Sequence, residues 1–175
     1  MKKPMVIVVS GLTASGKTTL VQAMHDTLSD STVISYDDYS IDALPSAPPI
    51  DLPLSKTVDQ YDLSNLMKDF LKAKNHYNYI LMDFPFGYKH PTLRPYIDKV
   101  IYVKTPLDVC FARQIIRDYS DKTINDAVNW SKTYLNFARP IFLDYENFIA
   151  GEVDLTIDGL LPIDQKVTLA TNFLN

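Results

Sequence analysis

The sequence predicts a single α/β domain over residues 1–175, with a five-stranded, mostly parallel sheet carrying helices on both faces. Three observations predict it. Short β-branched runs alternate with amphipathic stretches at helical spacing along the whole chain. A turn with the spacing G-x-x-x-x-G-K-[ST], Gly11 to Thr18, joins the first run to the first helix. Acidic residues follow the second and third runs directly, at the carboxyl ends where open parallel sheets take their ligands. A chain of 175 residues suits one domain, and 46% hydrophobic with 22% charged residues is an ordinary globular balance, so a sizeable core is available.

The first strand is Met5 to Val9, an apolar run that reads as buried. It flows straight into Ser10-Gly11, too short for the roughly 7–15 apolar residues of a secretory leader. Thr19 to Met24 opens a helix whose apolar face is Leu20, Val21, Met24 and Leu28, ending near Ser29-Asp30-Ser31. Thr32 to Ser35 forms a second strand and delivers Tyr36-Asp37-Asp38-Tyr39. Pro45, Pro48, Pro49 and Pro53 exclude regular helix from residues 41–55 and leave an extended, mobile segment of the kind that serves as a binding loop. Leu63, Leu66, Met67, Phe70 and Leu71 then predict a helix from near Asp62 to about Lys74. Tyr79 to Met82 is the third strand, and Val100 to Val103 the fourth. Thr105 as N-cap, Pro106 as first helical residue and Asp108 in the first turn mark the next helix. Its Leu107, Phe111 and Ile115 point to the core, while Arg113 and Arg117 share another face. A further helix starts at Thr123, is broken or kinked at Pro140 and stops at Gly151. Val153, Leu155 and Ile157 make a fifth strand; Ile163, Val167, Ala170 and Phe173 make a closing helix.

The Gly11 to Thr18 turn is a phosphate-binding loop. Its glycines let the backbone curl so that the N–H groups of Thr13, Ala14, Ser15, Gly16, Lys17, Thr18 and Thr19 and the positive end of the helix face a polyphosphate. Lys17 reaches the β and γ phosphates of a nucleotide, and Thr18 offers its hydroxyl to Mg²⁺. Asp83, at the end of an apolar strand, suits the acidic partner of that cation. Asp37 and Asp38 are two adjacent acids after a strand: either can orient an acceptor hydroxyl and take its proton, and Asp37 can add a second Mg²⁺ contact. The pair equally suits the capping of a turn. Arg113 and Arg117 can clamp a transferring phosphoryl group with their guanidinium forks. Phe84-Pro85-Phe86-Gly87-Tyr88 reads either as a platform for a planar ligand, through Phe84 and Tyr88, or as a rigid corner packed on the core.

Other chemistries find no support. A net charge of −4 and a pI of about 5.2 argue against a large nucleic-acid or anionic-membrane footprint. The single cysteine, Cys110, cannot form an internal disulfide and reads as a small buried residue, which suits a reducing cytoplasm. His25, His76 and His90 lack metal-ligand spacing and read as surface or loop residues. No stretch approaches the roughly 20 apolar residues of a membrane span.

Five landmarks, in order, resemble the uridine kinase and phosphoribulokinase group of P-loop kinases, which includes nicotinamide riboside kinases. They are the loop from Gly11 to Thr18, Asp37-Asp38-Tyr39 after the second strand, Tyr61-Asp62 before an amphipathic helix, Asp83 after the third strand, and the stretch from Thr105 to Asp118 with its arginines. The tail from Arg139-Pro140 to Gly159 is also similar. The resemblance implies the P-loop NTPase fold with an arginine-bearing helical lid, ATP and Mg²⁺ as cofactors, Asp37 as general base, and Tyr61 with Asp62 as the segment that holds ribose hydroxyls. It implies transfer of the γ-phosphoryl of ATP to a hydroxyl of a nucleoside-like small molecule in the cytoplasm, with a homodimer left open. The alternative is a nucleotide-binding ATPase or switch without an acceptor. The chain departs from the group where Asp83 and Phe84 replace the usual Glu-Gly and where Gln114 replaces an arginine; it also lacks a full base-recognition segment.

Overall fold

The computed structural model describes residues 3–43 and 47–174; Pro45, one of the four prolines expected to keep residues 41–55 extended, lies outside them. Five strands, β1 (Met5–Ser10), β2 (Ser31–Ser35), β3 (Tyr79–Asp83), β4 (Lys99–Lys104) and β5 (Leu155–Asp158), form one sheet in the order β2-β3-β1-β4-β5. Every pairing is parallel: Val8 stands opposite Met82 and Val100, Ile34 opposite Met82, and Val103 opposite Ile157. All five carboxyl ends therefore open on one side of the molecule.

Side chains alternate across the pleat, so each strand feeds two cores. Val6, Val8, Ile80, Met82, Val100 and Tyr102 face one layer with Leu66, Phe70 and Ile149. Ile7, Val9, Leu81, Ile101, Val103 and Ile157 face the other, with Leu20, Val21, Met24 and Ala170. The helices that cover these faces are α1 (Lys17–Thr27), α3 (Ser64–Ala73), α6 (Arg139–Ala150) and α7 (Ile163–Leu174), with the single-turn α2 (Leu54–Thr57) and the pair α4 (Leu107–Tyr119) and α5 (Ile124–Thr133) completing the chain. Among the described residues no helix is long and apolar enough to cross a membrane.

The structure corrects several local readings. Thr105 does not cap α4: its hydroxyl donates to the Ser15 carbonyl at 2.8 Å, leaving Pro106 at the helix start. Leu107, Phe111 and Ile115 are half-buried, whereas Cys110 is the buried residue of α4. The proline-rich segment ends earlier than expected, because Pro53 stands before α2 and Leu54 already begins a turn of helix. Pro140 does not break its helix. Lacking an N–H, it cannot close the usual turn, and the chain widens to a π-helical turn over Tyr134–Ala138 in which the Arg139 N–H bonds to the Tyr134 carbonyl. Thr123 caps α5 in a reciprocal box with Asp126.

Candidate active site

A cleft of about 1130 Å³ lies over the carboxyl ends of β1, β2 and β3. Its floor is the loop between β1 and α1. Gly11 is required there because a Cβ would stand 2.5 Å from the Ser15 hydroxyl and 2.9 Å from the Val103 carbonyl. Gly16 starts α1 in the left-handed region at φ 99°, which only glycine adopts without strain. The Ser15 hydroxyl is buried and without a hydrogen-bond partner among the described residues. The Ser15 carbonyl is held by Thr105, with Arg113 Nη1 at 3.5 Å.

At the foot of the loop the Thr18 hydroxyl donates to the Asp83 carboxylate. Asp83 is 2% exposed. Burial raises its carboxyl above the usual range, while Lys17 and the Thr18 hydrogen bond pull it back down. The pair supplies hard oxygen donors of the kind that hold Mg²⁺ together with phosphate oxygens. Among the described residues no group of three or more His, Cys, Asp or Glu side chains converges as a metal cage.

Of the expected site residues, Gly11, Thr13, Ala14, Gly16, Lys17, Thr18, Thr19, Asp37, Tyr61, Asp83, Arg113 and Arg117 all line this one cleft. Arg117 reaches the Thr13 hydroxyl at 3.4 Å and pairs with Asp118 at 2.7 Å. Asp37 sits on a 3-10 turn, Tyr36–Tyr39, directly after β2, and its side chain is exposed toward the cleft.

Ser15, expected with the loop, is buried beneath it and does not line the cleft, and four expected residues outside the loop are not brought there either. Asp38 is exposed and absent from the lining, and its neighbour Tyr39 donates to Asp69 at 3.1 Å. Asp62 takes the helix-capping role: its carboxylate accepts from the Ser64 backbone N–H at 2.9 Å and from the Ser64 hydroxyl. Phe84 is wholly buried. Its transfer from water contributes about 1.5–3 kcal/mol to the core, which assigns it to packing and not to a ligand platform. Tyr88 turns away to donate to Asp154 at 2.6 Å.

The aromatic wall is built instead by Tyr36, Tyr61 and Phe86. Phe86 meets Tyr36 edge-on at 5.4 Å and Tyr61 at 4.8 Å. Tyr36 is 4% exposed, yet its hydroxyl has no hydrogen-bond partner among the described residues. Burial, and after it Asp42, raises the phenols of both Tyr36 and Tyr61. His90 is not a surface residue: it is 1% exposed and stacks on Phe86, with one ring nitrogen 2.9 Å from the Tyr61 carbonyl.

Sequence reasoning missed Asp42, Tyr145 and Lys166. Asp42 follows the recognised acids by four residues but carries no motif of its own. Tyr145 joins the loop to β3 by donating to the Pro85 carbonyl, with the Gly11 carbonyl at 3.3 Å. Lys166 did leave a signal, a charged residue three positions after Ile163 beside the apolar stripe of the closing helix.

No protein-family model matches the chain. Among curated proteins it is similar to a uridine kinase of Pasteurella multocida, 24% identical over 207 aligned positions that span 97% of the chain and 90% of that protein. A uridine kinase of Clostridium botulinum is 25% identical over 176 positions, 83% of each. One from Shewanella denitrificans reaches 30% over 86 positions, 48% of the chain and 37% of that protein. Two solved structures share the fold: TT1252 from Thermus thermophilus, with a TM-score of 0.60 at 13% identity over 99% of the chain and 97% of its own, and APE1195, with 0.56 at 18% over 99% and 96%.

Proposed function

We propose that this chain is an ATP-dependent phosphotransferase that moves the γ-phosphoryl of ATP to a hydroxyl of a nucleoside-like small molecule. The observation that carries the reading is that one cleft joins a phosphate loop to an exposed carboxylate, Asp37, and to an aromatic wall of Tyr36, Tyr61 and Phe86. A phosphate loop alone serves ATPases and switches; an acid and a planar-ligand wall facing it suit a second substrate. The likeness to uridine kinases over most of the chain supports the same class.

In this reading the amides from Thr13 to Thr19 and Lys17 bind the nucleotide's phosphates, and Thr18 and Asp83 hold Mg²⁺, with Asp37 near it. The cation, when bound, neutralises charge on the β and γ phosphates. Asp37 accepts the proton of the attacking hydroxyl, and Arg113 and Arg117 stabilise charge on the phosphoryl in flight. Tyr61, the half-buried member of the aromatic wall, meets the acceptor, with the buried Phe86 packed behind it. With Asp62 bonded to Ser64, Asp42, which stands near the phenols of Tyr36 and Tyr61, is a second carboxylate beside Asp37 for the acceptor.

The test is a thermal-shift series with Mg-ATP and a panel of nucleosides and vitamin precursors, followed by acceptor-dependent ADP release, with Lys17→Ala as control. Mg-ATP should raise the Tm of the wild type and not of Lys17→Ala, and at least one acceptor should stimulate ADP release. Stabilisation by nucleotide with no stimulation across the panel would favour a nucleotide-dependent switch.

A further inference from the structure

From the geometry around Gly16 we propose that Lys166 is a phosphate-binding residue: the last helix, α7, carries an amine into the polyphosphate site beside Lys17 and Arg113. The proposal rests on the nucleotide-binding part of the reading above, and the experiment below separates the two.

Lys166 sits in the first turn of α7 and is 6% exposed. The residues that follow it inward, Val167 and Ala170, pack with the apolar layer under α1. A lysine buried in such a place keeps its charge only where something compensates it. The amine donates to the Gly159 carbonyl at 3.3 Å, and among the described residues no carboxylate lies within ion-pair distance of it. An ammonium has three donors. One is used on the carbonyl, which leaves donors for a ligand in the cleft that Lys166 lines.

The place of the amine identifies that ligand's chemistry. It stands 3.7 Å from the position a Cβ on Gly16 would take, with Arg113 Nη1 4.0 Å from the same point. Two cations thus flank the start of α1, where unpaired backbone amides already concentrate positive potential. Neither has an acidic partner at ion-pair distance among the described residues. Burial and the Arg113 charge hold the Lys166 amine below the ordinary lysine range, and Asp158 only partly offsets them. A phosphate oxygen between the two cations reverses the sign of that interaction. The aromatic wall of Tyr36, Tyr61 and Phe86 is built on other elements, so the geometry favours the donor's phosphates over the acceptor.

The experiment compares wild type with Lys166→Met, Lys166→Gln and Lys166→Arg, titrated with Mg-ATP and with magnesium tripolyphosphate, which has the phosphates and no base. Both Met and Gln variants should lose about 10- to 100-fold in affinity for both ligands, the range for one charge-assisted hydrogen bond. Arg should retain most of the affinity. Gln is the discriminating variant, because its amide can still donate to the Gly159 carbonyl: a purely structural role would be rescued by Gln, and a charge role would not. Circular dichroism checks the fold of each variant, and if Met fails to fold, Gln and Arg decide. Tripolyphosphate affinity in Lys166→Gln within twofold of wild type would overturn the proposal. So would a loss confined to ATP, which would put the amine on the base or ribose. If wild type takes up neither ligand, the nucleotide reading itself fails and takes this proposal with it; if wild type binds both and the variants match it, Lys166 alone is wrong.

Discussion

Asp37 and Asp83 are both carboxylates at strand ends, yet their surroundings set them to different work. Asp83 is buried and already engaged by Thr18, which on the proposed reading holds it for a cation at the loop. Asp37 is exposed in the cleft with no comparable clamp among the described residues, the condition for a group that must meet a substrate proton on the proposed reading. Asp37→Asn should therefore fold and bind Mg-ATP as wild type does, while acceptor-dependent transfer falls by about 10²–10⁴, the usual worth of a general base. Single-turnover kinetics with saturating ATP would show this, and an unchanged rate would return Asp37 to capping its turn. His90 carries a separate prediction. The Thr92 N–H donates to its Nδ1 at 3.3 Å, which assigns Nε2–H as donor to the Tyr61 carbonyl in a neutral ring. Burial lowers its proton affinity, and the Tyr61 hydrogen bond offsets this only in part. Unfolded histidine takes up its proton near pH 6.5, so below that value the unfolded state binds more protons and stability falls as pH drops. Urea unfolding from about pH 7 to 5 should show that decline in wild type, and His90→Gln should flatten it. At this scale the loop glycines and Lys17-Thr18 were legible because their backbone and charge demands appear as fixed spacing. Asp62 was not, since a capping acid and a ribose-binding acid read identically until Ser64 is seen to occupy it.

The strands and most helices were legible because each carries its own period, two for a pleat and 3.6 for a helix. Deviations arise where a side chain had a better partner far along the chain. Thr105 looks like an N-cap from its neighbours, but the Ser15 carbonyl, 90 residues away, takes its hydroxyl. Pro140 was readable as a disturbance, though not its form, because whether a helix breaks or widens depends on what holds both sides. Here α6 is held on one side by Tyr145, whose hydroxyl donates to the Pro85 carbonyl and lies 3.3 Å from the Gly11 carbonyl. Tyr145→Phe would leave those carbonyls with one donor fewer in a partly buried setting, at a cost of about 1–3 kcal/mol. Urea denaturation should report it as a lower midpoint with an unchanged slope, and a variant as stable as wild type would show that water replaces the hydroxyl.

For the whole molecule, the net charge of −4 is not reversed across the cleft, which sets the carboxylates of Asp37, Asp42, Asp51, Asp83, Asp118 and Asp144 against Lys17, Arg113, Arg117 and Lys166. On the proposed reading an anionic ligand is therefore met by the local grouping of Lys17, Arg113 and Lys166 at the start of α1 and not by the field of the whole cleft. Mg-ATP at about 100 times its Kd should contribute about 2.7 kcal/mol to stability, a rise of about 5–10 °C in Tm for a domain of this size. The strand order was not legible, because the pattern of one strand says nothing about which strand lies beside it. The gathering of cations from α1, α4 and α7 depends on that order and was hidden with it. One small contact sets the mechanics of the assembly. The Ser10 hydroxyl, at the end of β1, donates to the Phe84 carbonyl at 2.7 Å while accepting from the Gly87 N–H at 3.1 Å. This clasp makes the base of the loop between β1 and α1 and the Phe86 wall a single body, so on the proposed reading the spacing between a donor phosphate and an acceptor ring is fixed like marks on a ruler. If the protein takes two substrates as proposed, any closure over them falls to the opposite bank of the cleft, to residues 47–57 and to α4, and changes in hydrogen exchange on adding Mg-ATP should appear there, with the clasp itself still.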